Sequence, residues 1–132
     1  DSFLVEDGKK RPMSLFKKTI CFDLDGCLCS QTDGDYRDAV PNQKAIAVVN
    51  RLFDKGYKII LNTARFMGRT GGNTREAHNQ GYDLTKEQLK GWGVMYHELW
   101  LGKPRTDIIV DDRAVFFVND WDLIEKDIEK RL

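Results

Sequence analysis

The chain has no excess of charge of either sign and no long apolar run, and each absence excludes a class of function. Basic and acidic residues number 21 each, so a net charge of zero gives no electrostatic basis for binding nucleic acid or an anionic membrane. No apolar run approaches the length that spans a bilayer, and the first residues lack the basic start and apolar core of a signal peptide. We therefore expect a cytoplasmic protein that binds neither nucleic acid nor a membrane.

Cysteine and histidine are also scarce. The three cysteines, Cys21, Cys27 and Cys29, stand close together, and an odd number without secretory features indicates reduced thiols. No second pair of Cys or His residues follows at the spacing of a zinc site, so we interpret Cys27 and Cys29 as small packing residues. The two histidines are interpreted as an exposed residue, His78, and a packing residue, His97.

The length and composition predict one globular domain, since the chain has 132 residues, of which 41% are hydrophobic and 32% charged. Residues 1–14 are mixed in character and contain Gly8 and Pro12, which predicts an irregular arm or an edge strand. The chain does not begin with Met, and this is compatible with a piece of a longer polypeptide.

Short apolar runs alternate with amphipathic stretches, which predicts an α/β fold with a parallel sheet. Thr19–Leu24 and Tyr57–Leu61 are predicted strands, and the segment from Pro41 to Gly56 has the apolar spacing of a helix. Strand, helix and strand in this order form a βαβ unit. Further along, Thr85 and Gln88 resemble a capping box. The remaining predicted elements are helices at about 73–80 and 85–92, a short strand 98–101, a buried strand 107–110 and a helix 121–131.

Two carboxylates, Asp23 and Asp25, follow the first predicted strand. Burial of an unpaired charge is costly, so acids at the end of a buried strand normally meet a cation or water. Residues two apart in an extended chain point the same way, and Gly26 lets the backbone turn away behind them. Because open α/β sheets bind ligands at the carboxyl ends of their strands, the pair predicts a site for Mg²⁺.

Polar side chains also lie near the ends of the later predicted strands: Thr63, Lys103, and the pair Asp111 and Asp112. Such a set supports phosphoryl transfer, in which a carboxylate attacks phosphorus while Mg²⁺ and Lys neutralise the phosphate. A hydroxyl and backbone amides hold the oxygens, and a second acid, for which Asp25 is suitably placed, handles the proton. Singly, each residue fits a turn, a cap or a solvated surface; the functional interpretation depends on their combination.

The segment after the second predicted strand contributes candidate substrate ligands. Free N–H groups at Thr63 and Ala64 can bind phosphate oxygens, and Arg65 and Arg69 flank the same edge. The glycine-rich segment Phe66–Asn73 predicts a mobile loop that can close over a ligand. The arginines are equally compatible with a solvated surface, and the sequence leaves that alternative open.

These motifs resemble, in order, those of the haloacid dehalogenase-like (HAD) superfamily of phosphatases. Asp23-Leu24-Asp25-Gly26-Cys27 resembles the first motif, Thr63 the second, Lys103 the third and Asp111-Asp112 the fourth. Cys27 departs from the usual Thr or Val. The runs TARFMGRTGGN, GKP and VDDRA are similar to small phosphatases found with bacterial capsule-polysaccharide genes.

The resemblance implies a Rossmann-like three-layer sandwich around a central parallel sheet. It implies an aspartyl-phosphate mechanism with Asp23 as nucleophile and Asp25 as general acid and base. Mg²⁺ would be held by Asp23, the main-chain carbonyl of Asp25, and Asp111 or Asp112. Residues Ser30–Val40 are too few for a cap domain, so the resemblance implies a capless enzyme with an open site. Such a site takes a large substrate or is closed by a neighbouring subunit in a homo-oligomer, and the implied substrate is a sugar or polyol phosphate of surface-polysaccharide biosynthesis.

Two other classes of protein are compatible with similar residues. A receiver-type signalling domain also uses acids, Mg²⁺, an acceptor Asp, a Thr and a Lys, but its adjacent acid pair ends the first strand, whereas Asp111-Asp112 follow the last predicted one. A weakly active partner domain of a larger protein is the other alternative, and the presence of both Asp23 and Asp25 is evidence against lost activity. The sequence favours the phosphatase.

Overall fold

The computed structural model describes residues 3–6, 9–12 and 16–132, which contain five strands and three α-helices. The strands are β1 (Phe3–Glu6), β2 (Lys9–Pro12), β3 (Thr19–Phe22), β4 (Lys58–Thr63) and β5 (Glu98–Leu101). The helices are α1 (Gln43–Asp54), α2 (Thr74–Trp92) and α3 (Trp121–Arg131), with a short 3-10 helix at Tyr36–Asp38. None of the helices in these ranges has the length and apolarity needed to cross a membrane.

Three strands form a parallel sheet in the order β3-β4-β5. Ile20 lies opposite Ile59, and Leu61 lies opposite Leu99. Because α1 connects β3 to β4, the predicted βαβ unit and the small α/β fold with a parallel sheet are confirmed. Successive side chains of β4 are alternately half-buried and buried, and the buried ones are Ile59, Leu61 and Thr63. Thr63 therefore ends the strand with its side chain turned into the protein.

The N-terminal strands β1 and β2 pair with each other in antiparallel fashion, outside the parallel sheet. Of the two alternatives predicted for residues 1–14, an irregular arm or an edge strand, the irregular arm is wrong for 3–6 and 9–12, which are strands but, among the described residues, pair only with each other. Residues 1–2, 7–8 and 13–14 of that arm lie outside the described residues.

Helix α1 begins and ends close to the predicted positions. Asn42 caps it, because its Oδ1 accepts a hydrogen bond from the Ala45 N–H at 3.2 Å. Pro41 was expected at the first helical position, but it lies before the cap and pairs with Cys29 in an isolated β-bridge. Gly56 follows the last residues of the helix with φ of 96°, a conformation that favours glycine.

Helix α2 is one continuous helix, whereas the sequence predicts two, at about 73–80 and 85–92. Gly81 lies in its middle, and a Cβ added there would come within 2.4 Å of Phe66 and 2.9 Å of Leu101. Glycine weakens an isolated helix, but here its missing side chain lets α2 pack closely against the loop after β4. Thr85 is therefore an interior residue of α2 and not the cap of a second helix.

The predicted buried strand 107–110 is wrong. Among the described residues this segment pairs with no strand, and Ile108 and Val110 are 81% and 97% exposed. A short apolar run becomes a strand only where a neighbouring strand pairs its N–H and C=O groups. As a result, Asp111 and Asp112 do not follow a strand of the sheet.

The last predicted helix is confirmed as α3, whose first turn is capped by Asp120 through the Leu123 N–H. Its buried residues belong to the same apolar core as the sheet and α1. On the outer side, α3 is joined to α1 by the ion pairs Arg51–Glu125 and Lys55–Glu129.

Candidate functional site

An open cleft of about 730 Å³ lies at the carboxyl ends of β3, β4 and β5. One wall carries residues 31–34 and Tyr36, and another carries residues 104–109. The cleft brings together most of the predicted site residues, which were widely separated in the sequence. Those lining it are Asp23, Asp25, Thr63, Ala64, Arg65, Arg69 and Lys103.

Asp23 and Lys103 face each other in this cleft, with Lys103 Nζ 3.6 Å from Asp23 Oδ1. The backbone N–H groups of Gly102 and Lys103 both donate to the Thr63 carbonyl, which holds the loop after β5 against the end of β4. Partial burial raises the pKa of Asp23 and the Lys103 charge opposes that rise. The Asp23 side chain remains 41% exposed, so a ligand in the cleft can reach it.

Asp25 is held by Arg65 in a two-point ion pair. Arg65 Nε donates to Asp25 Oδ2 at 2.8 Å, and Nη2 donates to Oδ1 at 2.9 Å. The Arg65 side chain is fully buried, whereas that of Asp25 is 14% exposed. The pair therefore presents the carboxylate to the cleft and keeps the guanidinium behind it.

The remaining donors of Arg65 are also occupied. Nη1 donates to Gln88 Oε1 at 2.7 Å and Thr85 Oγ1 at 3.3 Å, and Nη2 also contacts Cys29 Sγ at 3.7 Å. A guanidinium has five N–H donors, and each has a protein acceptor here. The predicted role of Arg65 as a ligand of the substrate anion therefore does not fit its geometry, because no donor is left for a substrate.

Cys29 has a more specific place than the packing role expected for it. Its thiol donates weakly to Asp25 Oδ1 at 3.5 Å. Burial, and secondarily the Asp25 charge, raise the pKa of Cys29 to about 12, so the residue stays protonated as a donor at neutral pH. Burial likewise raises the pKa of Cys27 to about 12, which fits its interpretation as a packing residue.

Thr63 is buried and shapes the turn after β4. Its Oγ1 accepts a hydrogen bond from the Arg65 N–H at 3.1 Å, which directs the backbone into the turn. Thr63 and Ala64 both line the cleft, and their predicted roles in holding phosphate oxygens stay predictions.

Arg69 connects two neighbouring loops that both contribute to the cleft, residues 30–40 and the loop after β4. It donates to the Gly34 carbonyl, and its guanidinium lies 4.4 Å from the centre of the Phe66 ring and 5.4 Å from that of Tyr36. Tyr36 also accepts a hydrogen bond at its Oη from the Phe66 N–H. These contacts favour a role for Arg69 in holding residues 30–40 over the site rather than in binding a substrate anion.

Asp111 and Asp112 do not line the cleft. Both are exposed, and Asp111 Oδ1 accepts from the Arg113 N–H at 2.8 Å, which closes a local turn. The predicted set of metal ligands is therefore not brought together. Over residues 16–132, where side chains are described, no cluster of three His, Cys, Asp or Glu residues is arranged to hold a metal ion.

Three contributors to this site were not predicted from the sequence: Tyr36, Gln88 and Arg105. Tyr36 and Gln88 support the Asp25–Arg65 pair, and Gln88 was interpreted instead as part of a helix cap. Arg105 lines the cleft. Its guanidinium packs against Gly68 so closely that a Cβ added at Gly68 would overlap with Arg105 Nη1. The only available signal for Arg105 was its position two residues after Lys103.

Comparison with known proteins supports the fold. A structural-genomics target from Vibrio cholerae is 26% identical to this chain with a TM-score of 0.70, and the match covers 84% of this chain and 98% of that one. A chain of the Pnkp1/Rnl/Hen1 RNA repair complex is 22% identical with a TM-score of 0.46, and the match covers 97% of this chain but 35% of that one. No protein-family model and no curated protein matches. The similarity to the Vibrio cholerae protein, which is matched over nearly all of its own chain, supports a small α/β fold.

Proposed function

We propose that this protein hydrolyses a phosphomonoester through an aspartyl-phosphate on Asp23. The observation that supports this best is the arrangement of three residues from two segments that are distant in the sequence. Asp23 lies beside Lys103 and two residues from Asp25, whose carboxylate is held in a fixed orientation at the same end of the sheet. A nucleophile, a cation and a second acid in one open cleft are what phosphoryl transfer to a carboxylate requires.

In the first step, an Asp23 carboxylate oxygen attacks phosphorus and the bond to the ester oxygen breaks. Lys103 offsets the repulsion between the carboxylate and the phosphate, because its ammonium group lies next to Asp23. Asp25, protonated for this step, gives its proton to the leaving oxygen. The Thr63 hydroxyl and the Ala64 N–H are proposed to hold the remaining phosphate oxygens, because the N–H groups of Arg65 and Phe66 donate within the protein.

In the second step, water attacks the acyl phosphate and releases inorganic phosphate. Asp25 now acts as the base and takes the proton from water, which restores both carboxyl groups to their starting states. The cleft is open to solvent on one side, so water reaches the intermediate without a domain movement.

The predicted Mg²⁺ fits the described residues only in part. The Asp23 carboxylate is accessible, but both oxygens of the Asp25 carboxylate accept from Arg65. The main-chain carbonyl of Asp25 accepts from Gln31 Nε2 at 3.2 Å, and Asp111 and Asp112 lie outside the cleft. Since the donor set is incomplete in this arrangement, no step above uses a metal ion, and the requirement for Mg²⁺ stays a prediction.

The motifs that resemble the HAD superfamily support its capless, Rossmann-like type as the specific fold. The two segments where that superfamily inserts cap domains are here the loop of residues 30–40 and the stretch that contains α2. We propose that the substrate is a sugar or polyol phosphate of surface-polysaccharide biosynthesis and that the reaction takes place in the cytoplasm. The open cleft is compatible with closure by a neighbouring subunit or by another part of a larger protein.

Phosphate release from a panel of sugar phosphates, polyol phosphates and nucleotides tests this function. We expect release from at least one phosphomonoester in the presence of Mg²⁺, and loss of that activity when a chelator removes divalent ions. Full activity in chelator contradicts the metal requirement alone. A folded protein that releases phosphate from no member of the panel, with or without Mg²⁺, contradicts the proposed function.

Arg105 is the cleft arginine best placed to meet the anionic part of a substrate. Among the described residues it has no hydrogen-bond or ion-pair partner, whereas Arg65 and Arg69 are engaged by the protein. We expect Arg105→Ala to lower kcat/KM by roughly ten- to a hundredfold through KM, since one charge-assisted contact contributes about 1.5–3 kcal/mol. Steady-state kinetics on the best substrate of the panel measure this effect.

The matched control is Arg75→Ala. Arg75 is exposed in the first turn of α2 and does not line the cleft, so its loss changes the net charge equally without touching the site. Wild-type KM in Arg105→Ala, or the same change in both variants, shows that Arg105 makes no specific contact.

A further inference from the structure

We propose that Arg65 is a positioning residue that holds the carboxylate of Asp25 in the orientation needed to protonate the leaving group. This proposal rests on the proposed phosphatase function and assigns Arg65 a role different from the substrate contact expected from the sequence. Arg65 acts through Asp25 and touches no substrate.

The contacts of the Asp25 carboxylate leave one direction open. Oδ1 accepts from Arg65 Nη2 and from the Cys29 thiol, and Oδ2 accepts from Arg65 Nε. Each carboxylate oxygen has two acceptor sites, so Oδ2 keeps one site without a partner among the described residues. Because Asp25 lines the cleft and Arg65 is buried behind it, Oδ2 is the oxygen available to exchange a proton with a ligand.

Arg65 is itself fixed by α2 and by the 3-10 helix. Gln88 Oε1 accepts from Arg65 Nη1, and Gln88 Nε2 donates to the Tyr36 carbonyl at 2.6 Å. This orientation of the amide is the consistent one, since the reverse would direct an NH₂ group at the guanidinium and an oxygen at a carbonyl. The Tyr36 ring lies 4.9 Å from the guanidinium carbon, so Arg65 is held in place by contacts from two other segments.

The two-point geometry is what makes positioning the favoured role. An Arg fork fixes the plane of a carboxylate, which a single contact leaves free to rotate. A buried ion pair contributes little net stability compared with apolar residues of the same volume, so stability alone does not account for five satisfied donors beside a catalytic acid. A displacement of about 1 Å at a reacting group can reduce a rate about a hundredfold.

The test uses two substrates that differ in their need for a proton. An alkyl phosphate requires protonation of its leaving oxygen, whereas p-nitrophenyl phosphate releases a stable phenolate without it. The measured quantity is kcat/KM, which covers the steps up to cleavage of the ester and excludes hydrolysis of the intermediate. We expect Arg65→Met to lower kcat/KM on the alkyl phosphate by roughly a hundredfold, with a much smaller loss on p-nitrophenyl phosphate. Arg65→Lys should restore part of the lost rate on the alkyl phosphate.

A merely structural role predicts the same fractional loss on both substrates, and that result overturns the proposal. Arg51→Met is the matched control, because Arg51 makes a comparable two-point pair with Glu125 between α1 and α3, away from the cleft. Arg51→Met should keep the wild-type ratio of kcat/KM on the alkyl phosphate to kcat/KM on p-nitrophenyl phosphate. If Arg51→Met loses kcat/KM on the alkyl phosphate as selectively as Arg65→Met does, that result also overturns the proposal.

Circular dichroism establishes whether each variant is folded. If Arg65→Met does not fold, Gln88→Met decides, since it removes the contacts of Gln88 with Arg65 Nη1 and with the Tyr36 carbonyl but leaves both hydrogen bonds between Arg65 and Asp25 in place. A smaller loss confined to the alkyl phosphate supports positioning, and unchanged kinetics or an equal loss on both substrates overturns it. If the wild-type protein cleaves neither of the two substrates nor any member of the panel, the proposed function itself is overturned. That outcome is distinct from failure of the positioning role.

Discussion

Replacement of Asp23 by Asn is expected to reduce kcat for phosphate release by at least about a thousandfold, because an amide cannot form the acyl phosphate. The fold should be retained. Asp23 contributes a partly exposed pair with Lys103 at 3.6 Å, and exposed pairs contribute only about 0–1 kcal/mol. Steady-state phosphate release and circular dichroism measure the two expectations separately.

Asp107→Asn is the control for this variant. Asp107 is exposed and lines the same cleft, so its replacement makes an equal change of charge without removing a nucleophile. We expect it to stay close to the wild-type rate. Appreciable turnover by folded Asp23→Asn contradicts the assignment of the nucleophile, and equal losses in the two variants attribute the effect to the charge of the cleft.

Replacement of Gly81 by Ala is expected to lower the free energy of unfolding by about 1–3 kcal/mol, the usual effect of overpacking. The added Cβ would come within 2.4 Å of Phe66 Cδ2 and 2.9 Å of Leu101 Cδ2. Phe66 cannot easily move aside, because it is buried with φ of 67° and its N–H donates to Tyr36 Oη. Urea denaturation followed by circular dichroism measures the change.

Gly91→Ala in the same helix should have the opposite sign. No heavy atom lies within 4 Å of a Cβ added at Gly91, so the substitution should stabilise α2 by about 0.5–1 kcal/mol through its higher helix propensity. Stabilisation by both substitutions would contradict the close packing of α2 against Phe66.

That packing also explains why α2 was not predicted as one helix. Local propensity indicates a break near Gly81, and only the contact with Phe66 and Leu101 shows why a glycine belongs there. The opposite error occurred at 107–110, where the apolar run Ile108–Val110 indicates a strand but no neighbouring strand pairs with it in the described sheet. Both errors concern contacts with residues distant in the sequence, which local patterns do not report.

The elements with strong local signals were predicted well. Asn42 and Asp120 are side-chain caps next to periodic apolar residues, and helices α1 and α3 follow them closely. β3, β4 and β5 are short apolar runs, and their parallel arrangement follows from the helices between them. Their carboxyl ends bring Asp23, Thr63 and Lys103 together, as the topology requires.

The role of Arg65 could not be predicted, because its position beside Thr63 indicates only that a cation lies near the site. Its partners, Asp25 and Gln88, lie 40 and 23 positions away, and only the folded chain shows that all its donors are used. The same limit applies to Asp111 and Asp112, whose predicted place in the site depended on a strand that does not form.

The most direct test of the central claim is a search for a phosphoryl group on Asp23. Wild-type protein is mixed with the best substrate of the panel, quenched in acid during the first turnovers, digested and analysed by mass spectrometry with and without hydroxylamine. We predict a hydroxylamine-sensitive phosphoryl group on the peptide that contains Asp23, formed at least as fast as steady-state turnover and absent from Asp23→Asn. Steady turnover with no phosphorylated peptide, or with the phosphoryl group on a different residue, would contradict it.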